Sequence, residues 1–153
     1  MPSPSLAKPA RNAAAEAFHA RRRFVDLPYA RIAYVEEGEG PAAVFVHGVP
    51  LNGFHWRHVI AGVRDRRRCI ALDLMGLGYS EIGAGQDVSF TAQARMIADV
   101  IDALGLATID LVGNDSGGAI AQIFAAHHKQ RLRTLTLTIA TCTMAGRRRR
   151  CCR

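Results

Sequence analysis

The chain changes its hydrophobic period several times, and each change marks a predicted element. Residues 1–23, with Pro2, Pro4 and Pro9, keep no steady period and are expected to form a flexible N-terminal arm. Residues 22–27 and 30–36 read as strands joined at Pro28-Tyr29, which predicts an antiparallel hairpin. Gly38 and Gly40-Pro41 mark a turn, after which residues 42–46 (AAVFV) are apolar at every position. Such a run fits a strand buried on both faces. Residues 54–63 read as a helix, and 69–72 and 109–112 as two further buried strands. Met96, Ile97, Val100, Ile101 and Leu104 recur at helical spacing, with Asp99 and Asp102 off the stripe and Gly105 at the expected C-cap. Residues 117–128 predict a helix rich in Ala and Ile. Residues 132–139 predict a strand in which Leu135, Leu137 and Ile139 alternate with Thr134, Thr136 and Thr138.

Strands alternating with helices predict an α/β domain over residues 24–140, with a mostly parallel sheet, right-handed crossovers and an N-terminal antiparallel hairpin. After Ala140 the pattern stops, leaving a basic Cys/Arg tail at 141–153. Arginine runs beside cysteines arise when coding sequence is read in a shifted frame; a natural basic tail or localisation signal is the alternative.

The net charge of +7 would suit nucleic acid or an anionic membrane only if it covered a folded face. Instead Lys8, Arg11, Arg21, Arg22 and Arg23 cluster at one end and Arg147, Arg148, Arg149, Arg150 and Arg153 at the other, leaving the patterned body slightly acidic. Both clusters are expected to be solvated ends, with no nucleic-acid or membrane partner. No apolar run reaches the ~18 residues of a membrane span. Residues 13–20 are broken by Glu16 and His19, which excludes a signal-peptide core there. Cys69, Cys142, Cys151 and Cys152 contain no Cys-x-x-Cys pair, so neither metal nor cofactor is expected and a cytoplasmic location is the default.

Residues 113–118 (GNDSGG) follow a buried strand and open a helix, the setting of a Gly-x-nucleophile-x-Gly elbow. Gly113 and Gly117 let the flanking backbones close without a side chain between them. Spacing puts Asp115 in the nucleophile position, and Ser116 is expected to start the helix and lend only its backbone N–H. A phosphate-binding glycine loop lacks its Gly-Lys-Ser/Thr ending here, and a central carboxylate would repel phosphate. An Asp serving only as helix N-cap is the other alternative. His47-Gly48-Val49-Pro50 ends the first buried strand, and residues 73–80 (DLMGLGYS) end the next, their glycines allowing a tight turn beside a pocket.

With these three motifs in order, each at a strand end, residues 24–138 resemble the α/β-hydrolase superfamily, and within it the aspartate-nucleophile branch of epoxide hydrolases and haloalkane dehalogenases. The resemblance implies that Asp115 attacks an electrophilic carbon of a small-molecule substrate, forming an alkyl-enzyme ester that a histidine-activated water then cleaves. It implies an oxyanion hole made by the backbone N–H groups of Val49 and Ser116, with His47, Gly48, Pro50, Gly113 and Gly117 shaping the supporting loops. A carboxylate suits displacement at carbon because it is already ionised near neutrality.

Dehalogenases of this branch usually hold halide with a Trp after the nucleophile and an Asn after His-Gly; Ser116 and Val49 stand at those positions. Neither offers a side-chain N–H, so epoxide hydrolysis is the preferred activity, with dehalogenation or ester hydrolysis as alternatives. Ser116 also departs from epoxide hydrolases, which usually carry Trp there. A non-catalytic remnant or interaction module is the reading from a different class. The family's cap, triad acid and histidine follow the region matched, so the chain is expected to be an N-terminal fragment ending after about the sixth strand, and inactive alone. His55, His58, His127 and His128 are expected to be solvent-facing or structural rather than the base.

Overall fold

The computed structural model describes residues 13–140; the expectations for residues 1–12 and for the tail at 141–153 lie outside them. Helix α1 (Ala13–His19) leads into the hairpin of β1 (Arg22–Leu27) and β2 (Ala30–Glu37), whose register places Leu27 opposite Ala30 across Pro28-Tyr29. Then follow β3 (Ala42–Val46), α2 (Arg57–Val63), β4 (Arg68–Leu72), β5 (Glu81–Ile82), α3 (Phe90–Ala103), β6 (Ile109–Asn114), α4 (Ser116–His127) and β7 (Leu132–Thr138). The sheet runs β1-β2-β4-β3-β6-β7, with β5 beside β2. Strands β4, β3, β6 and β7 are mutually parallel, while β1, β2 and β5 pair antiparallel. This is the α/β-hydrolase fold.

Apolar residues throughout β3 and from Cys69 to Leu72 of β4 are needed because alternate side chains enter two different cores. Val44, Val46, Ile70 and Leu72 face the core built by α3 and α4. Ala43, Phe45, Cys69 and Ala71 face the core that holds Phe18 of α1 and Ile60 of α2. The stripe of α3 is fully used: Met96, Ile97, Val100 and Ile101 are at most 1% exposed. At roughly 1.5–3 kcal/mol per large buried aliphatic side chain, that stripe fastens the helix far more firmly than its caps do. Ser89 caps it by accepting the Ala92 N–H, and Gly105 ends it at φ +67°, a left-handed conformation that suits glycine.

Three expectations are corrected. Residues 13–23 are not a flexible arm: α1 forms, and Phe18 is buried against the second core, edge-on to Phe54. Burying one large aromatic anchors a helix too short to persist alone. The single helix expected at 54–63 is a 3-10 turn over Gly53–Trp56 followed by α2, because Asn52 caps the turn by accepting the Phe54 N–H. The last strand stops at Thr138, since Ile139 turns to φ +48°, where a β-branched residue cannot continue a ladder. The two-residue β5 had no periodic signal and brings the sheet to seven strands.

Candidate active site

Adjacent positions of β4, β3 and β6 bring three loops together at the carboxyl end of the sheet. These are the sequels to Leu72, Val46 and Asn114. They carry the three motifs singled out in the sequence.

Asp115 links β6 to α4 at φ +52° and ψ −124°, a backbone conformation that non-glycine residues rarely hold. Its N–H donates to Thr138 O at 3.2 Å, and its carbonyl accepts from the Gly118 N–H at 2.9 Å. Its side chain makes no capping hydrogen bond to α4, unlike Asn52 and Ser89 at their helices. The residue is exposed.

The glycines around it are required by close approach. A Cβ on Gly113 would lie 2.7 Å from Gly117 O and 2.8 Å from Gly118 Cα. A Cβ on Gly117 would strike His47 O and Val46 O at the end of β3. On Gly48 it would fall 2.7 Å from Asp115 Oδ2, so the carboxylate rests directly on the Gly48 backbone.

His47 is fully buried. Its Nε2 accepts the Leu74 N–H at 3.1 Å, which leaves the proton on Nδ1 to donate to Gly48 O at 2.9 Å. Burial holds its pKa below the ordinary histidine value, against the raising effects of the Gly48 carbonyl and Asp73. With both ring nitrogens engaged, His47 is a bracket between two loops. His127 and His128 lie at the far end of α4, roughly 18–20 Å along its axis from Asp115. His55 is exposed, its Nε2 3.5 Å from Asn114 Nδ2, and His58 is exposed on α2.

Ser116 contributes more than the backbone group expected of it. Its Oγ accepts the Val49 N–H at 2.9 Å, and the residue is only 9% exposed. The Val49 side chain is 54% exposed and lines a largely apolar cleft of about 320 Å³ with Leu74, Leu77, Val88, Phe90 and Ile120.

Asp73, quoted in the sequence only as the start of a loop, is the knot of that loop system. Its Oδ1 accepts the Gly53 N–H at 2.7 Å, its Oδ2 the Tyr79 N–H at 2.9 Å, and its carbonyl the Ser80 hydroxyl at 2.7 Å. Gly78 sits so close to the carboxylate that a Cβ there would collide with it. Gln93, a polar residue in the first half of α3, pins the Met75 backbone by both its N–H and its carbonyl at 3.0 Å. The signal for both was a polar residue beside an apolar run. From outside, α1 braces the loops: His19 lies 4.8 Å from the Tyr79 ring and 5.7 Å from Phe54. Among the described residues, no group of three or more His, Cys, Asp or Glu side chains could hold a metal ion, and no helix is long and apolar enough to cross a membrane.

The elbow and sheet order define a class, and the chain belongs to the alpha/beta hydrolase fold family, whose sequence profile matches residues 41–147. Haloalkane dehalogenase 2 of Mycobacterium tuberculosis is 38% identical over 115 residues, which cover 75% of this chain and 40% of that protein. Cis-3-alkyl-4-alkyloxetan-2-one decarboxylase of Shewanella oneidensis is 29% identical over 120 residues, covering 76% and 38%. The solved structure of the epoxide hydrolase CorEH without ligand aligns with a TM-score of 0.73 at 28% identity, over 76% of this chain and 41% of its own. The chain therefore spans about 40% of the length of the first of these relatives.

Proposed function

We propose that this chain carries the nucleophile half of an aspartate-dependent hydrolase, in which Asp115 takes an alkyl group from a small epoxide. The observation that carries the reading is the conformation of Asp115: a non-glycine residue at φ +52°, resting on Gly48 and not capping its helix. Strain of this kind costs about 1–3 kcal/mol and persists where the surroundings enforce it. An Asp present only as an N-cap would hold the first-turn N–H groups with its carboxylate.

In the reaction, an Asp115 carboxylate oxygen attacks an epoxide carbon. The C–O bond breaks, its electron pair goes to the epoxide oxygen, and that oxygen takes up a proton from solvent water. The product is a 2-hydroxyalkyl ester of Asp115. Water added at the ester carbonyl would then release a diol and restore the carboxylate. In this reading the backbone N–H groups of Ser116 and Val49, with the loops of His47, Gly48, Pro50, Gly113 and Gly117 behind them, are the expected donors to charge developing on the carboxyl oxygen. The apolar cleft lined by Val49 and Ile120 suits an alkyl or aryl substituent. His47 has both ring nitrogens committed, so it does not supply the water-activating base.

A second reading is haloalkane dehalogenation, with halide leaving in place of the epoxide oxygen; the 38% identity to haloalkane dehalogenase 2 favours it. Incubation with styrene oxide, and separately with 1-bromobutane, followed by peptide mass mapping tests both. The expected result is a styrene oxide adduct on the Asp115 peptide that Asp115→Asn abolishes. An adduct from 1-bromobutane alone selects the second reading, and no adduct from either removes both.

A further inference from the structure

The Val49 N–H is one of two donors expected to meet the charge on the Asp115 carboxyl group, yet it already gives its proton to Ser116 Oγ at 2.9 Å. One N–H cannot serve two acceptors at full strength. A hydroxyl has two acceptor sites and one donor, so Ser116 keeps its own O–H available after accepting from Val49. The three groups belong to the junction of the loops that follow β3 and β6. Asp115 Oδ2 lies against Gly48, the Val49 N–H follows one residue later, and Ser116 adjoins Asp115 in the chain. Ser116 is also nine-tenths buried, so water does not readily replace its partners.

We propose that the Ser116 hydroxyl is itself the second donor of the charge-stabilising pocket, with the Val49 N–H polarising it from behind. The pocket then consists of the Ser116 N–H and the Ser116 O–H, both from one residue, and Val49 acts as a positioning residue. Hydrogen bonds in such a chain strengthen one another, because each donor that is itself an acceptor becomes more acidic. The step involves hydrogen bonds only. As water or another nucleophile adds to the Asp115 ester carbonyl, the C=O electron pair moves onto oxygen, and the Ser116 O–H bonds to that oxygen without transferring its proton. This inference rests on Asp115 being the nucleophile.

The test uses the full chain alkylated with styrene oxide, and reads the rate at which hydroxylamine cleaves the Asp115 ester at fixed pH. Loss of the hydroxyl in Ser116→Ala should slow cleavage about tenfold, the scale of one hydrogen bond to developing charge. Ser116→Thr, which keeps the hydroxyl, should restore most of the rate. An isotope-edited infrared spectrum should place the ester carbonyl stretch at lower frequency in the parent than in Ser116→Ala. A hydroxyl that merely withholds the Val49 N–H gives the opposite signs. Cleavage in Ser116→Ala as fast as in the parent or faster, with the carbonyl band unmoved, overturns the proposal. If Ser116→Ala does not fold, Ser116→Cys, with its weaker donor, must slow cleavage in the same direction. An adduct whose cleavage ignores Ser116 removes this inference alone; no adduct on the parent from either styrene oxide or 1-bromobutane removes the nucleophile reading with it.

Discussion

Asp110 and Asp115 stand five residues apart at opposite ends of β6, and their surroundings differ in almost every respect. At the amino end, Asp110 is tied on several sides. Arg133 grips it with two bonds of 2.8 and 2.6 Å, Thr134 donates at 2.7 Å and Arg67 at 3.1 Å. At the carboxyl end, Asp115 is exposed, backed by glycine and held at a positive φ. One aspartate is spent on holding β7 to β6, since Arg133 and Thr134 both belong to β7. The other is presented. The same side chain is tied down or left presented according to what each end of the strand supplies: arginines in one place, close-packed backbone in the other.

The sharpest way to break this contrast is Asp115→Asn, which should remove the mass adduct completely and leave the melting temperature within a degree or two of the parent. Adduct formation that survives this change would end the nucleophile assignment. Next in size, Gly117→Ala should destabilise by at least about 1–3 kcal/mol, because its Cβ would strike the backbone oxygens of His47 and Val46. Urea titration measures it, and a neutral result would mean that the end of β3 can move away from α4. Asp110→Ala and Asp115→Gly should then have opposite signs. The first should cost about 1–2 kcal/mol, reduced because its arginines are partly exposed. The second should raise stability by up to about 1 kcal/mol, as relief of the positive φ outweighs the entropy cost of glycine. Matching signs would erase the distinction between the two ends.

The smallest effect is on pH dependence. Burial pushes the Asp110 carboxyl up, but the hydrogen bonds from Arg133, Thr134 and Arg67 outweigh it and hold the group below the usual carboxylate range. A carboxyl whose folded pKa lies below its unfolded value stabilises the fold above the unfolded value, roughly pH 4, and that share is lost as pH falls through the folded one. Asp110→Asn should therefore flatten the acid limb of the stability profile below about pH 4 and leave its shape near neutrality unchanged. An acid limb identical to the parent's would mean that other carboxyls set it.

Much of the fold was legible because burial on two faces leaves an unmistakable run, as in AAVFV, and because a helix stripe such as Met96 to Ile101 repeats cleanly. The three loops were legible as glycine-rich strand ends, and the closeness of Gly48 to Asp115 gives that reading a physical basis. Helix α1 was missed because one buried aromatic, Phe18, has no period to detect. Asp73 and Gln93 were under-read for a similar reason. Each satisfies backbone groups far away in sequence, Gly53 for one and Met75 for the other, and a linear pattern holds no trace of such partners. The Ser116 hydroxyl was overlooked because its partner, Val49, lies 67 residues upstream.

The hydrogen bond from the Asp115 N–H to Thr138 O ties the elbow to β7, the outermost strand of the described sheet. Leu135 and Leu137 are about 40% exposed on that strand and Ile139 is 89% exposed, so little apolar burial opposes its fraying. Amide exchange follows local opening rather than global unfolding wherever opening is cheap. The Asp115 amide should then exchange with solvent in step with the end of β7, and faster than the amides of β3 at the sheet's centre. A strand laid along the outer edge of β7 would slow that exchange, so the amide at the elbow would register an event at the margin of the sheet.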